Sequence, residues 1–468
     1  MTISTGKETG IAIVGMGFSG LMTAINIIKN AKSKIKIHLI NDKYPFGKGV
    51  AYSATSFNHL LNVPAAKMSC FSSFPDHFVD WAYTKAPFYD MNKEIIGKMF
   101  LARKEYGNYL FEVWNDILKN KNSFVSINII EALSTDIEDF EKKHRIHFGS
   151  GEQVLVDFVV LATGNDIPGN PKIHNENFFN SPDYFNNPWD IDAVKDIGSG
   201  TNILIVGNGL TMVDTVLELM ENGCEGKIYS ISPHGFTVLP HRYNGVAYSK
   251  LLEELKEPYE INNLFQLFRR HIKLMKQFGF SAEPVIDSIR TISQKIWIAL
   301  SLPDKRRFLF HIKHLWDDAR HRLPNHIYDL IQDLKNQNKL ITIKGRLVDI
   351  NETGRQIIVR FWNGKNQIEE SIVVSRVINC TGPLPDITKT KNILLKNLVS
   401  RGTIKPDALK LGIETDLQGA IINSNNITSD NLFTLGGNLK GLLWESTAVP
   451  EIRVQAENLA ALLVNRIE

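Results

Sequence analysis

Ile11-Ala-Ile-Val-Gly-Met-Gly-Phe-Ser-Gly20 is the stretch that decides the fold. Its four leading apolar residues read as a strand buried on both faces of a parallel sheet. Gly15, Gly17 and Gly20 then fall in the spacing of a turn between strand and helix: the first for the tight turn, the second for close approach of backbone to a diphosphate, the third for helix packed on strand. Leu21, Ala24, Ile25, Ile27 and Ile28 supply the apolar face of the following helix, and Ile35 to Ile40 reads as a second strand. The unit closes over roughly thirty residues, the size of a βαβ element. Its helix N-terminus, with Phe18 and Ser19 in the first turn, offers backbone N–H groups to an anion.

The same grammar returns at Ile203-Leu-Ile-Val206 followed by Gly207-Asn-Gly-Leu-Thr-Met212, a helix over Val213 to Met220 and a strand over Lys227 to Ser232. Met212 stands where the third glycine would be. Gly207, Gly209 and Thr211 still make a glycine-rich opening to a helix, which favours a nicotinamide nucleotide there over a degenerate fold. Two strand-end signatures repeat as well, Val159-Val-Leu-Ala-Thr-Gly164 and Val377-Ile-Asn-Cys-Thr-Gly382. Each delivers a Thr-Gly pair to a crossing point, which places Thr163 and Gly164 beside a bound nucleotide.

About 25 residues beyond the first glycine, the second strand of such a unit ends in an acid that holds the ribose hydroxyls. Asn41 and Asp42 occupy that place, and the register admits either. Beyond the equivalent strand of the second copy, His234 and Arg242 are candidates for a 2′-phosphate, or else surface residues. NADPH and NADH both remain open.

The fold class expected is α/β, with two dinucleotide-binding domains. The first is discontinuous, 1–195 with 336–468; the second, 196–335, carries a helical insertion over about 248–335. A chain of 468 residues needs at least two cores. The formal charge of +3 gives no footprint for nucleic acid. No apolar run reaches the roughly 18 residues of a membrane span, and the expected compartment is the cytoplasm. Cys70, Cys224 and Cys380 form no CxxC pair, which argues against a metal knuckle and against a dithiol reductase.

Near the C-terminus, Asn431-Leu-Phe-Thr-Leu-Gly-Gly437 is a strand ending in glycines, followed by Trp444, Thr447 and a helix opened by Pro450. Proline suits a first turn because its missing N–H has no partner there. Such a helix N-terminus would stabilise negative charge at the pyrimidine edge of a flavin.

Taken together these segments resemble the FAD/NAD(P)-binding flavoproteins, relatives of the flavin monooxygenases and of the ornithine and lysine N-hydroxylases. The most specific stretches are Gly47-Lys-Gly-Val-Ala-Tyr52, His59-Leu-Leu-Asn-Val-Pro64 with Met68-Ser69, Phe74-Pro-Asp-His-Phe78 with Trp81, Trp316 with Arg320-His-Arg322 and Pro324, and Glu445-Ser-Thr-Ala-Val-Pro-Glu-Ile-Arg453. The resemblance implies FAD at Gly15, Gly17, Ser19, Gly20 and Asp42, a flavin ring near Leu61, Asn62, Val63 and Gly437, and NADPH or NADH near Gly207, Gly209 and Thr211. Asn165 departs from the N-hydroxylase pattern, which carries tyrosine there. The Phe-x-Gly-x-x-x-His-x-x-x-Trp signature of Baeyer-Villiger enzymes is missing after Gly164, so ester-forming oxygenation is disfavoured.

The expected function is an FAD-dependent oxidoreductase in which NAD(P)H reduces the flavin, and dioxygen then supplies one oxygen to a small-molecule nucleophile such as an amine. Asn62 is the candidate to face the flavin. His321 and Arg322 are candidates for an acidic substrate or the nucleotide phosphates. Two alternatives stand beside this: a dehydrogenase or oxidase without oxygen insertion, and a non-catalytic flavin or nucleotide sensor whose helical insertion docks a partner.

Overall fold

The computed structural model describes residues 8–54, 56–198, 200–241, 246–354 and 356–468. The chain divides into two compact units, Met1–Asp166 with Pro385–Glu468, and Ile167–Leu384.

The first unit is built on a six-stranded sheet. Its order runs Ala420–Ile422, Thr428–Thr434, Phe158–Leu161, Thr9–Val14, Ile35–Asn41, Val125–Glu131. Every pairing is parallel except the first. Parallel strands bury both faces, and the alternation shows it: Ile11 and Ile13 join a core beneath the helices Phe18–Asn30 and Val449–Ile467. Ala12 and Val14 face a second core with Ile137, Ile146 and Phe148 of a small antiparallel sheet and Leu394 and Leu398 of the helix Ile393–Ser400.

The second unit repeats the plan. Ile203–Val206 pairs in parallel with Ile228–Ser232 on one side and with Arg376–Asn379 on the other. Ile228–Ser232 pairs in turn with the start of the long strand Leu340–Thr353. After a register shift between Leu347 and Asp349, that strand continues as an antiparallel partner of Gln356–Asn363. Between Lys250 and Asn336 the chain is helical, with Ile261–Gln277 and Asn325–Asn336 the longest segments.

The domain boundaries need correction. Residues 336–384 belong to the second unit and not to the first, because their strands pair with the second glycine-turn sheet. The division before it falls after Asp166 instead of at 195, since Tyr184–Phe185 is the edge strand of that same sheet.

Asp349, at the register shift, accepts hydrogen bonds from the Asn175 N–H at 2.8 Å, Asn351 Nδ2 at 2.9 Å and Arg360 Nη2 at 3.1 Å. Burial alone would raise its pKa, but these donors outweigh burial and hold it at about 2 against an ordinary 3.8. A depressed carboxyl stabilises the folded state above its unfolded pKa and ceases to do so as it is protonated. The second unit is therefore expected to lose stability as pH falls from about 4 to about 2. Asp349→Asn should flatten that dependence in urea unfolding followed across pH.

Candidate functional site

The first glycine turn is forced by its surroundings. Gly15 has φ +100°, and a Cβ there would lie 2.4 Å from the Ala162 carbonyl oxygen. Its N–H donates to Ile40 O at 2.9 Å, while the Ala162 N–H donates to Val14 O at 2.8 Å, so the turn is clamped between the strands on either side. At Gly20 a Cβ would come within 2.0 Å of the Gly15 carbonyl oxygen. Gly17 differs. Its Cβ position is crowded only by the Gly49 Cα at 3.6 Å, which leaves a cradle over the helix N-terminus. That terminus has no side-chain cap and no acid in its first turn, so its leading N–H groups are set for an anion.

Other elements close on this turn. Gly436, at φ +72°, has a Cβ position 2.8 Å from Ser19 Oγ, and its N–H donates to Gln455 Oε1 at 2.8 Å. The Cβ position of Gly437 lies 2.4 Å from Asn165 Oδ1 and 3.8 Å from Thr447 Cγ2. Asn438 donates to Thr163 Oγ1 at 3.1 Å and to Thr434 Oγ1 at 2.9 Å. The structure thus brings Gly15, Gly17, Ser19, Gly20, Thr163, Gly437 and Thr447 into one neighbourhood, with Phe18 packed in the core beneath it. Gly164, at φ +72°, has open space where a side chain would stand.

Trp444 is buried, with Lys440 Nζ 5.4 Å from its ring centre. The helix Val449–Ile467 starts without a side-chain cap. Just before it, Ser446 is fully buried with no hydrogen-bond partner for its hydroxyl among the described residues. Leu61 is buried in the same core as Phe18, and its N–H donates to Leu101 O at 2.8 Å. This fixes the half-buried Asn62 and Val63 that follow. At the strand end, Asn41 Nδ2 donates to Tyr44 O at 2.7 Å, and Asp42 is exposed.

The second turn copies the first. Gly207 has φ +116°, and its Cβ position is 2.4 Å from the Cys380 carbonyl oxygen, as Gly15 stands to Ala162. The repeated Thr-Gly signature therefore marks the strand end against which each turn glycine packs. Gly209 is open within 4 Å and caps the helix Leu210–Glu221 without a side-chain bond. Met212 takes the third-glycine place and is buried, and Thr211 O accepts from Thr215 Oγ1 at 2.9 Å. Asn208, 8% exposed, has both amide atoms buried with no partner among the described residues. A buried amide left unmade costs about 1–3 kcal/mol, so Asn208 points to a ligand at this turn.

Ser232 ends the second strand of this unit, in register with Lys344. His234 stacks on His314 with ring centres 4.1 Å apart, and Phe236 lies alongside at 5.8 Å from His314. Arg242 lies outside the described residues.

Arg322 requires a correction. It is 5% exposed, with Nη1 2.6 Å from Glu283 Oε1 and 2.9 Å from Asp287 Oδ2, and Nε donating to Ala319 O at 2.8 Å. Its guanidinium holds the helical insertion together and is not presented to a substrate. His321 is exposed at the end of the helix Lys313–Arg320, its N–H donating to Asp317 O. Both belong to the second unit, Asn62 to the first.

Sequence reasoning missed Asn208, Asn438, Ser446 and Gln455. Asn208 alone carried a signal, as the polar residue inside a glycine turn. Among the described residues no group of His, Cys, Asp and Glu could hold a metal ion, and no helix is long and apolar enough to cross a membrane.

Two glycine turns, each between parallel strands of its own sheet and each closed by a Thr-Gly strand end, make the comparison with known proteins direct. Residues 12–166 match the FAD-NAD(P)-binding family. No curated protein matches the chain. Among solved structures, it is similar to the ornithine N-hydroxylase of Kutzneria sp. 744, with TM-score 0.66 and 12% identity over 98% of this chain and 99% of that one. It is also similar to the L-lysine 6-monooxygenase of Pseudomonas syringae, with TM-score 0.64 and 13% identity over 98% and 100%. The FAD-bound cadaverine monooxygenase of Erwinia amylovora gives TM-score 0.61 and 13% identity over 98% and 94%. At these identities the likeness is one of fold, matched along nearly the whole length of the chain.

Proposed function

We propose that the chain is an FAD-dependent, NADPH-using monooxygenase that oxygenates a nucleophilic nitrogen on a small molecule. The observation that carries the cofactor reading is the open cradle at Gly17 over an uncapped helix N-terminus, beside glycines whose side-chain space is already filled by backbone. The residues present fit FAD. The N–H groups after Gly17, with Ser19, would hold the diphosphate; Asp42 would take the ribose, since the Asn41 amide closes its own turn. Leu61, Asn62 and Val63 with Gly164, Gly437, Trp444 and Thr447 would frame the ring, and the N-terminus of Val449–Ile467 would favour negative charge beside it. Bound there, FAD supplies hydride acceptance and oxygen activation. The chain's part is to orient substrate, exclude water and hold protons.

Asn208 and the Gly207–Thr211 turn would hold the nicotinamide nucleotide. NADPH is favoured over NADH because the strand end that carries an acid in NAD-specific sites carries Ser232 here, next to Lys344 and His234. Asn208→Ala should leave thermal stability intact and weaken NADPH binding about tenfold, the loss of one ligand hydrogen bond worth about 1.4 kcal/mol; tight binding by the variant would remove Asn208 from the site.

Thiol chemistry is disfavoured. All three cysteines are buried, and burial pushes the Cys70 and Cys380 thiols up to about 12, away from the reactive thiolate. The test of the reaction is oxygen uptake and product mass with NADPH and a panel of amines and amino acids. A substrate that gains one oxygen atom supports the proposal; NADPH oxidation that yields only reduced oxygen for every amine would point to an oxidase.

A further inference from the structure

The first unit holds a continuous line of aromatic rings leading away from the glycine turn. Phe18 opens the helix at that turn and meets Tyr52 edge to face at 6.4 Å between ring centres. Tyr52 lies 4.6 Å from Tyr106, Tyr106 lies 5.5 Å from Tyr109, and Tyr109 lies 5.6 Å from the half-buried Trp81. Packing alone would be served by phenylalanine at these core positions. The Tyr106 hydroxyl is instead buried without a partner among the described residues, a cost that calls for a role.

Tyr109 has the opposite endowment. Its fully buried phenol lies 2.8 Å from His77 Nδ1, and it accepts from the Cys70 N–H at 3.3 Å, with Cys70 Sγ 3.0 Å away. With the His77 proton on Nε2, Tyr109 donates to Nδ1. Burial lowers the imidazole pKa, Lys29 acting the same way and Asp80 and Asp116 against it, so the ring stands neutral, with its Nδ1 lone pair facing the Tyr109 phenol. Burial raises the Tyr109 phenol far above its ordinary value, so an ionised tyrosine is disfavoured there.

We propose that Tyr109 and His77 form a redox-active tyrosine pair, joined through Tyr106, Tyr52 and Phe18 to the glycine turn of the proposed flavin site. The proposal rests on the flavin reading above. The oxidant is the bound oxidised flavin after excitation by blue light. One electron passes from Tyr109 through Tyr106 and Tyr52 to the flavin, the Tyr109 O–H bond breaks, and its proton forms an N–H bond on His77 Nδ1. A neutral tyrosyl radical and an imidazolium remain, and no unpaired charge is left on the phenol in the apolar core. Trp81, whose indole N–H donates to Glu112 Oε2 at 2.9 Å, lets the oxidising equivalent reach the surface. Such a line draws stray oxidation away from the substrate site.

The test is flash excitation of the FAD-loaded protein under argon, read by transient absorption and by electron paramagnetic resonance. A neutral tyrosyl signal is expected in the wild type, lost in Tyr109→Phe and diminished in His77→Gln, with flavin absorbance unchanged in all three. A flavin-loaded wild type without that signal, or a signal indifferent to Tyr109→Phe, overturns the proposal. A protein that takes up no FAD sinks the flavin reading instead. Flash-quench oxidation by tris-bipyridyl ruthenium then tests the pair alone: a tyrosyl signal that disappears in Tyr109→Phe supports it, and one that the substitution leaves unchanged overturns it.

Discussion

Gly15→Ala is expected to abolish the folded first unit, while Gly17→Val leaves the unit folded and removes only its ability to hold FAD. The contrast comes from what surrounds each Cβ. At Gly15 the new atom would stand 2.4 Å from a backbone oxygen at the centre of a parallel sheet, at φ +100°. The left-handed backbone alone costs about 1–2 kcal/mol, and relieving the clash means parting strands that bury both faces. A total above about 4 kcal/mol is expected, the exceptional range for one substitution. At Gly17, with φ −78° and ψ −166°, valine is conformationally at ease, and its Cβ meets Gly49 at ordinary contact distance. Its methyl groups project into the cradle instead. Circular dichroism and FAD titration, run on both variants, check the pair of outcomes; retention of FAD by folded Gly17→Val would contradict the placement of the diphosphate.

Arg322→Ala is expected to destabilise the second unit by about 3–5 kcal/mol, the range for removing one partner of a buried ion pair. Glu283, with 12% of its side chain exposed, would lose the Arg322 guanidinium at 2.6 Å. Asp287 is 45% exposed and recovers water, so most of the penalty falls on Glu283. The measurement is urea unfolding alongside steady-state kinetics. A lowered unfolding midpoint with KM for substrate unchanged fits the structural role, whereas full stability with a raised KM would restore Arg322 to the substrate.

The contrast between these two sites shows what the sequence made legible. The strand, turn and helix at residues 11–28 are specified locally, by a continuous apolar run and by spaced glycines, of which Gly20 packs on the Gly15 carbonyl while Gly15 itself meets the distant Ala162. The helical stretch from Lys250 to Asn336 was legible for the same reason, since helix period is local. Strand partnership is not local. Leu340–Thr353 and Arg376–Asn379 look like any other buried strands, and only pairing with Ile228–Ser232 and Ile203–Val206 assigns them to the second unit. Arg322 escapes a sequence reading because a basic residue beside a proline looks alike whether it faces solvent or two carboxylates brought in from about 35 to 40 residues away. Ser446 stands out only through burial without a partner, a property that no sequence pattern carries, whereas Asn208 is also marked by its place inside a glycine turn.

The central claim is that the turn at residues 15–20 receives the diphosphate of a flavin nucleotide, and the absorption spectrum of the purified protein tests it most directly. After incubation with FAD and gel filtration, the protein fraction should be yellow with flavin bands, bleached by NADPH under argon and restored by air. A colourless fraction that neither retains FAD nor changes its spectrum with NADPH would contradict the account.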